Sequence, residues 1–456
     1  MRLILVWAGP VLLMLWTFAY QLLVTLPWTK TWLPIALPTL YLWIVDTLAL
    51  RRGTWSIELG TKLGIHLWPH LEIEEAVFFL LTNMLVVWGA IAYDNAVGIL
   101  DAFPEVFPEV PGTPSPVLLL KALCLPTARY DNRRIQGLNN ALNVLAKKSR
   151  SFYLASGVFM GRLRIDLILL YGFCRVADDL IDNAPTQKDA VTWIENFSRF
   201  LDAIYAEKAD QQEIRSSLAP FPKQAQSILV LLPKEKLPSA PLYALLDGFR
   251  IDQNFLADGP DSKATNPPIR TLIDLQRYAT CVAATIGELC LSLVYYHDPD
   301  GETDLKTQQR CKMAGAQMGR ALQYVNIVRD VMTDAQLDRS YIPYEWWDRS
   351  LPGEPDANRE EYANQVLQHR KRILDIAFTL YAENRDAIEE LPEYARAGIR
   401  VAVESYMEIG RVIRDRISKG QSLDFDGGGR TGRATVPKSR RVLVGWRVMT
   451  GWRGAS

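Results

Sequence analysis

Arg175-Val-Ala-Asp-Asp-Leu-Ile-Asp182 ends an apolar run, Leu167-Ile-Leu-Leu-Tyr-Gly-Phe-Cys174, that reads as a buried helix. Asp178 and Asp182 are four residues apart, so on a helix they point the same way, one turn apart. Arg175, three residues before Asp178, shares that face. Carboxylates on a buried wall are costly unless something pairs with them. A solvated helix face is one way out. A hard cation is the other: Mg²⁺ takes a few protein oxygens and completes its shell with water and substrate phosphate.

A second stretch answers the first. In Gln323-Tyr-Val-Asn-Ile-Val-Arg-Asp-Val-Met-Thr-Asp334, the residues Gln323, Asn326, Asp330 and Asp334 recur at steps of three and four and form one polar stripe. Ala321, Leu322, Val325, Ile327, Val328 and Val331 surround it with apolar side chains. Such a stripe is a poor way to build a core and a good way to line a cavity. Two facing helices of this kind predict a site that holds Mg²⁺ ions with diphosphate bridging them.

With Tyr341-Ile-Pro343, Ser149-Arg-Ser-Phe-Tyr153, Leu246-Asp-Gly-Phe-Arg-Ile-Asp252 and Tyr278-x-x-Cys-Val-Ala-Ala-Thr-Ile-Gly287, these motifs resemble those of the squalene/phytoene synthases. The resemblance covers residues 130 to 420 and implies an all-α isoprenoid synthase-type helical bundle. One departure is Ala284, where that family usually shows Gly; the extra methyl is expected to narrow the cavity. The implied chemistry is head-to-head condensation of two geranylgeranyl diphosphates to phytoene through a cyclopropyl diphosphate. Asp178, Asp179 and Asp182 would hold one set of metals and Asp330 and Asp334 another, with Asn326 and Gln323 orienting substrate or metal-bound water. The implied metal ligands are Asp178, Asp182, Asn326, Asp330 and Asp334, and the implied cofactor is Mg²⁺, with Mn²⁺ as a substitute.

Ionising an allylic diphosphate separates a carbocation from pyrophosphate. The leaving group needs positive charge, and the carbocation needs a dry, shaped, apolar cavity. Arg175, Arg329 and Arg339 are candidates for the first need. Lys148, Arg150 and Ser151 are candidates for a second diphosphate. Tyr153, Phe152, Tyr278 and Tyr406 are candidates to steady the cation through their π-faces, with core packing as the alternative for each. A farnesyl-specific relative making squalene or dehydrosqualene, and a non-catalytic membrane assembly subunit, stay open as alternatives. No GxGxxG motif stands out, and no nicotinamide is expected.

Formal net charge is zero, so nothing points globally to nucleic acid. Five scattered cysteines, without a CxxC pair, read as reduced thiols. Four histidines, none inside the two acidic motifs, make histidine triads poor candidates.

Residues 3 to 29 carry no charge and are long enough to span a bilayer. Trp32 to Leu50 and the uncharged Ala76 to Tyr93 are further spans, with Trp and Tyr near the ends. Arg51, Arg52 and Lys62 mark their connecting loop as cytosolic. A multi-pass membrane location follows, with the synthase domain expected on the cytosolic side; three simple crossings would require a further pass or re-entrant segment. His66, His70 and Glu74 fall four apart, a metal-site spacing that Pro69 disturbs; an interfacial loop is the plain alternative.

Glu72-Ile-Glu-Glu-Ala-Val-Phe-Phe-Leu-Leu-Thr-Asn83, with Asp46 and Trp55 before it, resembles the membrane lycopene cyclases of the bacterial heterodimeric and fungal type. In the fungal bifunctional lycopene cyclase/phytoene synthases such a module, normally of two related halves, precedes the synthase; one half is expected here. The resemblance makes Glu74 and Glu75 the acid/base pair of cyclisation. Protonating an alkene needs a carboxylic acid kept neutral by burial.

The expected organisation is a partial cyclase-like transmembrane module over 1–102, a Pro-rich linker and lead-in over 103–129, a phytoene synthase domain over 130–420 and a basic, Gly-rich, flexible tail over 421–456 that touches anionic lipid. Geranylgeranyl diphosphate, membrane lipid and other enzymes of the carotenoid pathway are the implied partners.

Overall fold

The uncharged N-terminal stretch and its two apolar successors form three long helices, α1 (Arg2–Thr25), α3 (Leu33–Arg51) and α4 (Ile73–Ala102), with the short α2 (Trp28–Thr31) between the first two. All three are long and apolar enough to cross a membrane. At 1.5 Å per residue α4 alone is about 45 Å long, more than a hydrocarbon core of about 30 Å. The computed structural model describes residues 2–56, 63–255, 267–298, 301, 303–347, 359–420 and 436–450, and divides into two units, 1–131 and 132–456.

In the first unit α1 and α3 both pack on α4. Ala19, Leu23, Ile35, Trp88 and Ala92 form the seam, while Leu5, Val6, Leu13, Val24, Leu37 and Tyr41 point outward. Apolar side chains on the outside suit lipid better than water. Between α3 and α4 lies a hairpin of β1 (His66–Trp68) and β2 (Leu71–Glu72), whose turn residue His70 has φ of 73°. After α4, α5 (Pro116–Leu123) folds back onto it around Ala96, Leu100, Phe103 and Ala122, with the Phe103 and Tyr130 rings stacked at 5.2 Å.

The second unit is a bundle of α6 (Asn132–Lys148), α7 (Arg150–Ser156), α8 (Gly161–Asp182), α9 (Gln187–Tyr205), α10 (Gln211–Leu218), α11 (Lys223–Leu229), α12 (Ser239–Gln253), α13 (Leu272–Ala279), α14 (Thr285–Tyr296), α15 (Leu305–Ala335), α16 (Arg359–Asn384), α17 (Glu393–Ser418) and α18 (Lys438–Met449). Alternation of helix with Pro- and Gly-containing breaks dictates this order; Thr186 and Asp304 cap α9 and α15 through their side-chain oxygens. One core runs through the bundle, centred on α8, α9, α12, α14 and α15.

α15 is the spine. It packs against α14, α16 and α17. Glycines let α14 and the π-helical turn Thr280–Ala284 approach its backbone: a Cβ at Gly319 would lie 2.4 Å from the Ala283 carbonyl oxygen, and one at Gly287 2.4 Å from that of Gly315. The stretch Leu272–Tyr296 also passes the length and apolarity test for a membrane span, but half of its most apolar window is buried inside this unit. Ala284, expected to narrow the cavity, is instead 4% exposed and packed toward α15; a Cβ at Gly319 would lie 3.0 Å from its Cα. Ala284 is not among the residues that line the synthase cavity.

The C-terminal stretch departs from the flexible tail expected for it. Residues 421–435 and 451–456 lie outside the described residues, but Lys438–Met449 is helical and packs on α17 and α7. Its Val444, Gly445 and Val448 recur at helical spacing and supply an inward face. Gly319→Ala should cost about 1–3 kcal/mol by overpacking the crossing. A thermal melt checks this, and an unchanged midpoint would mean that the helices do not meet there.

Candidate active site

The polar stripes of α8 and α15 line one cavity of about 730 Å³ in the second unit. α8 contributes Tyr171, Cys174, Arg175, Asp178 and Asp182, with Tyr171, Arg175, Asp178 and Asp182 at steps of three or four; α15 contributes Gln323, Asn326, Ile327, Arg329, Asp330, Thr333 and Asp334. Lys147, Lys148, Arg150 and Ser151 enter from the α6–α7 corner, where Ser149 caps α7 by accepting from the Phe152 N–H. Arg339 and Tyr341 enter from the loop after α15.

The carboxylates are matched by cations. Arg175 reaches Asp178 at 2.8 Å and Asp179 at 2.5 Å, and Lys148 reaches Asp179 at 3.0 Å. Arg339 bonds Asp182 at 2.9 Å, and Arg329 forks onto Asp330 at 2.9 and 2.6 Å. Burial, then the neighbouring Asp182, push the Asp178 carboxyl up to about 6, against the pull of Arg175 and Arg339. Among the described residues no three His, Cys, Asp or Glu side chains converge as a metal-ligating group. The donor types on the two walls, carboxylates with the Asn326 and Gln323 amides, nevertheless fit a hard, oxygen-seeking cation.

Aromatic rings line the cavity beside the charged walls. Phe152 and Tyr406 stack at 5.1 Å, and the Tyr406 hydroxyl donates to Asn326 Oδ1. Tyr278 and Tyr341 stack at 4.7 Å, and both hydroxyls donate to Asp252, at 3.2 and 2.7 Å. Leu245, Phe249, Val282 and Ile286 extend the apolar lining.

Two candidates fall outside the lining. Tyr153 is 46% exposed and absent from the wall: α7 turns Ser151 and Phe152 inward, and the next residue is rotated by about 100° toward solvent. Asp179 is likewise off the wall and acts on it through Arg175 and Lys148. Asp252, Thr333, Tyr341 and Val436 line the cavity without having been singled out as site residues. For Asp252 a signal existed: Asp247 and Asp252 are five residues apart on α12, about 140° around the helix, so the two carboxylates cannot share one face.

In the first unit Asp46 and Glu74 are 3% and 5% exposed. Asp46 accepts the Trp55 indole N–H at 3.1 Å, and Glu74 accepts the Leu63 N–H at 2.7 Å. Each keeps its other oxygen buried and without a hydrogen-bond partner among the described residues. The Trp43 indole donates to the Ala76 carbonyl at 3.0 Å, pinning α3 to the first turn of α4, and Glu75 has Asp46 and Glu74 as charged neighbours. The spacing of His66, His70 and Glu74 does not make a metal site, because the hairpin replaces the helix that spacing requires. His66 instead pairs with Glu72 across the strands at 3.2 Å.

A helical bundle with two carboxylate-bearing helices on one arginine-rich cavity defines an all-α synthase of the isoprenoid type. The squalene/phytoene synthase family profile matches residues 145–440. The bifunctional lycopene cyclase/phytoene synthase of Pyrenophora tritici-repentis is 49% identical over 448 residues, 98% of this chain and 74% of that protein. The protein of the same name from Neurospora crassa is 45% identical over 459 residues, 98% of this chain and 75% of its own length. A dehydrosqualene synthase crystal structure shares the fold with a TM-score of 0.50 at 22% identity, over 70% of this chain and 96% of that one. The chain therefore belongs to the bifunctional lycopene cyclase/phytoene synthases, with a C-terminal module of the squalene/phytoene synthase family.

Burial pushes the Asp252 carboxyl up to about 7, while the Tyr341 and Tyr278 hydrogen bonds and Arg339 resist. Its folded value exceeds its unfolded one, so its contribution to stability is full in acid and is lost as pH rises through about 7. Asp252→Asn should remove this part of the decline in the thermal midpoint of metal-free protein between about pH 4 and about pH 7. An unaltered pH profile would mean that Asp252 does not titrate in that range.

Proposed function

We propose that the C-terminal unit joins two molecules of geranylgeranyl diphosphate head to head, and that the N-terminal unit serves lycopene cyclisation. The observation that carries the first part is the convergence of both acidic stripes, Arg150, Arg175, Arg329 and Arg339, and the rings of Phe152, Tyr278, Tyr341 and Tyr406 on one cavity. Arg175, Arg329 and Arg339, now paired with carboxylates, exchange them for diphosphate oxygens as substrate enters. Lys148 and Arg150 take the second diphosphate. Asp178 and Asp182 on one wall, and Asp330 and Asp334 with Asn326 on the other, are the residues to hold Mg²⁺, or Mn²⁺ in its place. Bound there, the metal would neutralise charge on departing pyrophosphate.

Condensation then proceeds in two halves. One diphosphate leaves, and the allylic cation is attacked by the double bond of the second substrate. A proton is lost and a cyclopropyl diphosphate results. Its own diphosphate leaves, the skeleton rearranges, and a second proton loss gives phytoene. Tyr278, Tyr341, Tyr406 and Phe152 offer π-faces to the successive cations. Leu245, Phe249, Val282 and Ile286 keep water from them.

For the N-terminal unit, the buried carboxyls of Asp46 and Glu74 beside Glu75 support proton donation to an apolar alkene, with Glu74 and Glu75 as the acid/base pair. The helices of this unit make it the membrane-embedded part, and we place the synthase unit on the cytosolic side.

Asp178→Asn and Asp330→Asn should each lower Mg²⁺-dependent pyrophosphate release from geranylgeranyl diphosphate by at least about a hundredfold. Normal turnover in both would sink the two-wall mechanism. Feeding lycopene to the same membranes tests the other unit. Glu75→Gln should abolish ring formation and leave phytoene synthesis intact; a parallel loss of phytoene would mean that the two activities are coupled.

A further inference from the structure

α18 is apolar on two faces. Its inward face meets α7 and α17: Gly445 sits against Leu154, where a Cβ would lie 3.6 Å from Leu154 Cδ2. Arg440 pairs with Glu408, which is 5% exposed and also bonds Arg411. Just ahead of the helix, Val436 is 4% exposed and lines the synthase cavity. The helix is thus anchored beside the site.

Its other face is exposed. Val442, Leu443 and Trp446, at positions i, i+1 and i+4, are 64%, 40% and 49% exposed. Leu154, on which the helix rests, is itself 37% exposed, and Tyr153 beside it 46%, so the apolar surface continues onto α7. Three large apolar residues on one face of a short helix are more than scattered surface hydrophobes. The charges name the partner. After Asp426 the chain has no acidic residue, while Arg430, Arg433, Lys438, Arg441, Arg447 and Arg453 are basic in addition to Arg440, whose charge is met by Glu408. A basic helix with Trp, Leu and Val outward has the composition of a segment lying in the plane of an anionic bilayer.

We propose that α18 docks on an anionic lipid surface through Val442, Leu443 and Trp446, and so holds the Val436 wall of the cavity at the membrane. Protein surfaces would satisfy the apolar face, but the uniform positive charge selects anionic lipid. The docking gives a forty-carbon hydrocarbon a route that avoids water. That consequence rests on the synthase reading; the docking itself does not.

The test uses the full chain reconstituted in vesicles of phosphatidylcholine with or without phosphatidylglycerol. A benzophenone amino acid replaces Leu443, and Val191, an exposed apolar position on α9, is the reference site. Photolysis should attach phospholipid at 443 several-fold more than at 191, and more in the anionic vesicles. Equal labelling at both sites, or crosslinks from 443 to protein alone, overturns the proposal. In the second arm, Lys438→Glu with Arg441→Glu should reduce the lipid crosslink from 443 several-fold in anionic vesicles while phytoene formation in neutral detergent stays at the wild-type rate. A crosslink unmoved by the charge reversal, or an equal loss of activity in detergent, overturns it too. Because the crosslink is read without turnover, an inactive synthase with a lipid crosslink would refute the synthase reading and leave the docking standing.

Discussion

Buried negative charge must be compensated, and the synthase unit is arranged around that requirement. α8 and α15 each carry carboxylates along an otherwise apolar helix. In water such side chains need nothing; inside a bundle each would cost several kcal/mol alone. Arg175, Arg329 and Arg339 meet most of that cost here, and all three line the cavity with the acids they neutralise. The balance is exchangeable. A guanidinium that holds a carboxylate can hold a diphosphate with the same forked geometry. The groups that compensate the buried acids are therefore of the kind that bind an anionic substrate.

Such a balance works only if the walls are rigid. The glycine contacts between α14 and α15 bring backbone against backbone, which fixes their separation more tightly than interleaved side chains would. The π-turn Thr280–Ala284 adds one residue to the helical path and re-aims the chain, so that Tyr278 ahead of it and Val282 and Ile286 within and after it all reach the cavity. Asp252 then fixes the tyrosines by accepting from Tyr278 and Tyr341 at once. A carboxyl whose role is to orient two rings explains why an ionisable group is buried among them without a basic residue bonded to it in the described structure.

Much of this was legible in the sequence because a helix converts spacing into direction. Steps of three and four placed Asp178 with Asp182 and Gln323 with Asp334 on shared faces, and the apolar context said those faces look inward. What the period does not give is the phase of a short element. Tyr153 and Phe152 are equally aromatic and adjacent, and only the packing of α7 decides which one points in. Nor does periodicity foresee a turn: Pro69 signalled a break at His66–Glu74, but the hairpin that pairs His66 with Glu72 depends on register. α18 was missed because its inward face is small, Val444, Gly445 and Val448, and its outward apolar residues blur the pattern that marks an amphipathic helix.

The two units use the same side chain under opposite conditions. In the synthase unit Asp178, Asp182 and Asp330 face guanidinium groups, a setting that keeps charge available for anions and metal ions, while Asp252 is held by two tyrosine hydroxyls. In the first unit Asp46 and Glu74 are held by neutral donors, an indole N–H and a backbone N–H, and each retains a buried oxygen without a hydrogen-bond partner among the described residues. Polar groups on long apolar helices need partners within the protein, and tryptophans supply them here: the indole N–H groups of Trp43, Trp55 and Trp68 go to Ala76 on α4 and to Asp46 and Thr47 on α3. Neutral donors leave the proton on offer where cations would not. Carboxyl groups so placed suit chemistry that transfers a proton to a hydrocarbon, while those of the bundle suit chemistry that strips pyrophosphate from one; the division of labour is written in the partners of the acids and not in the acids themselves.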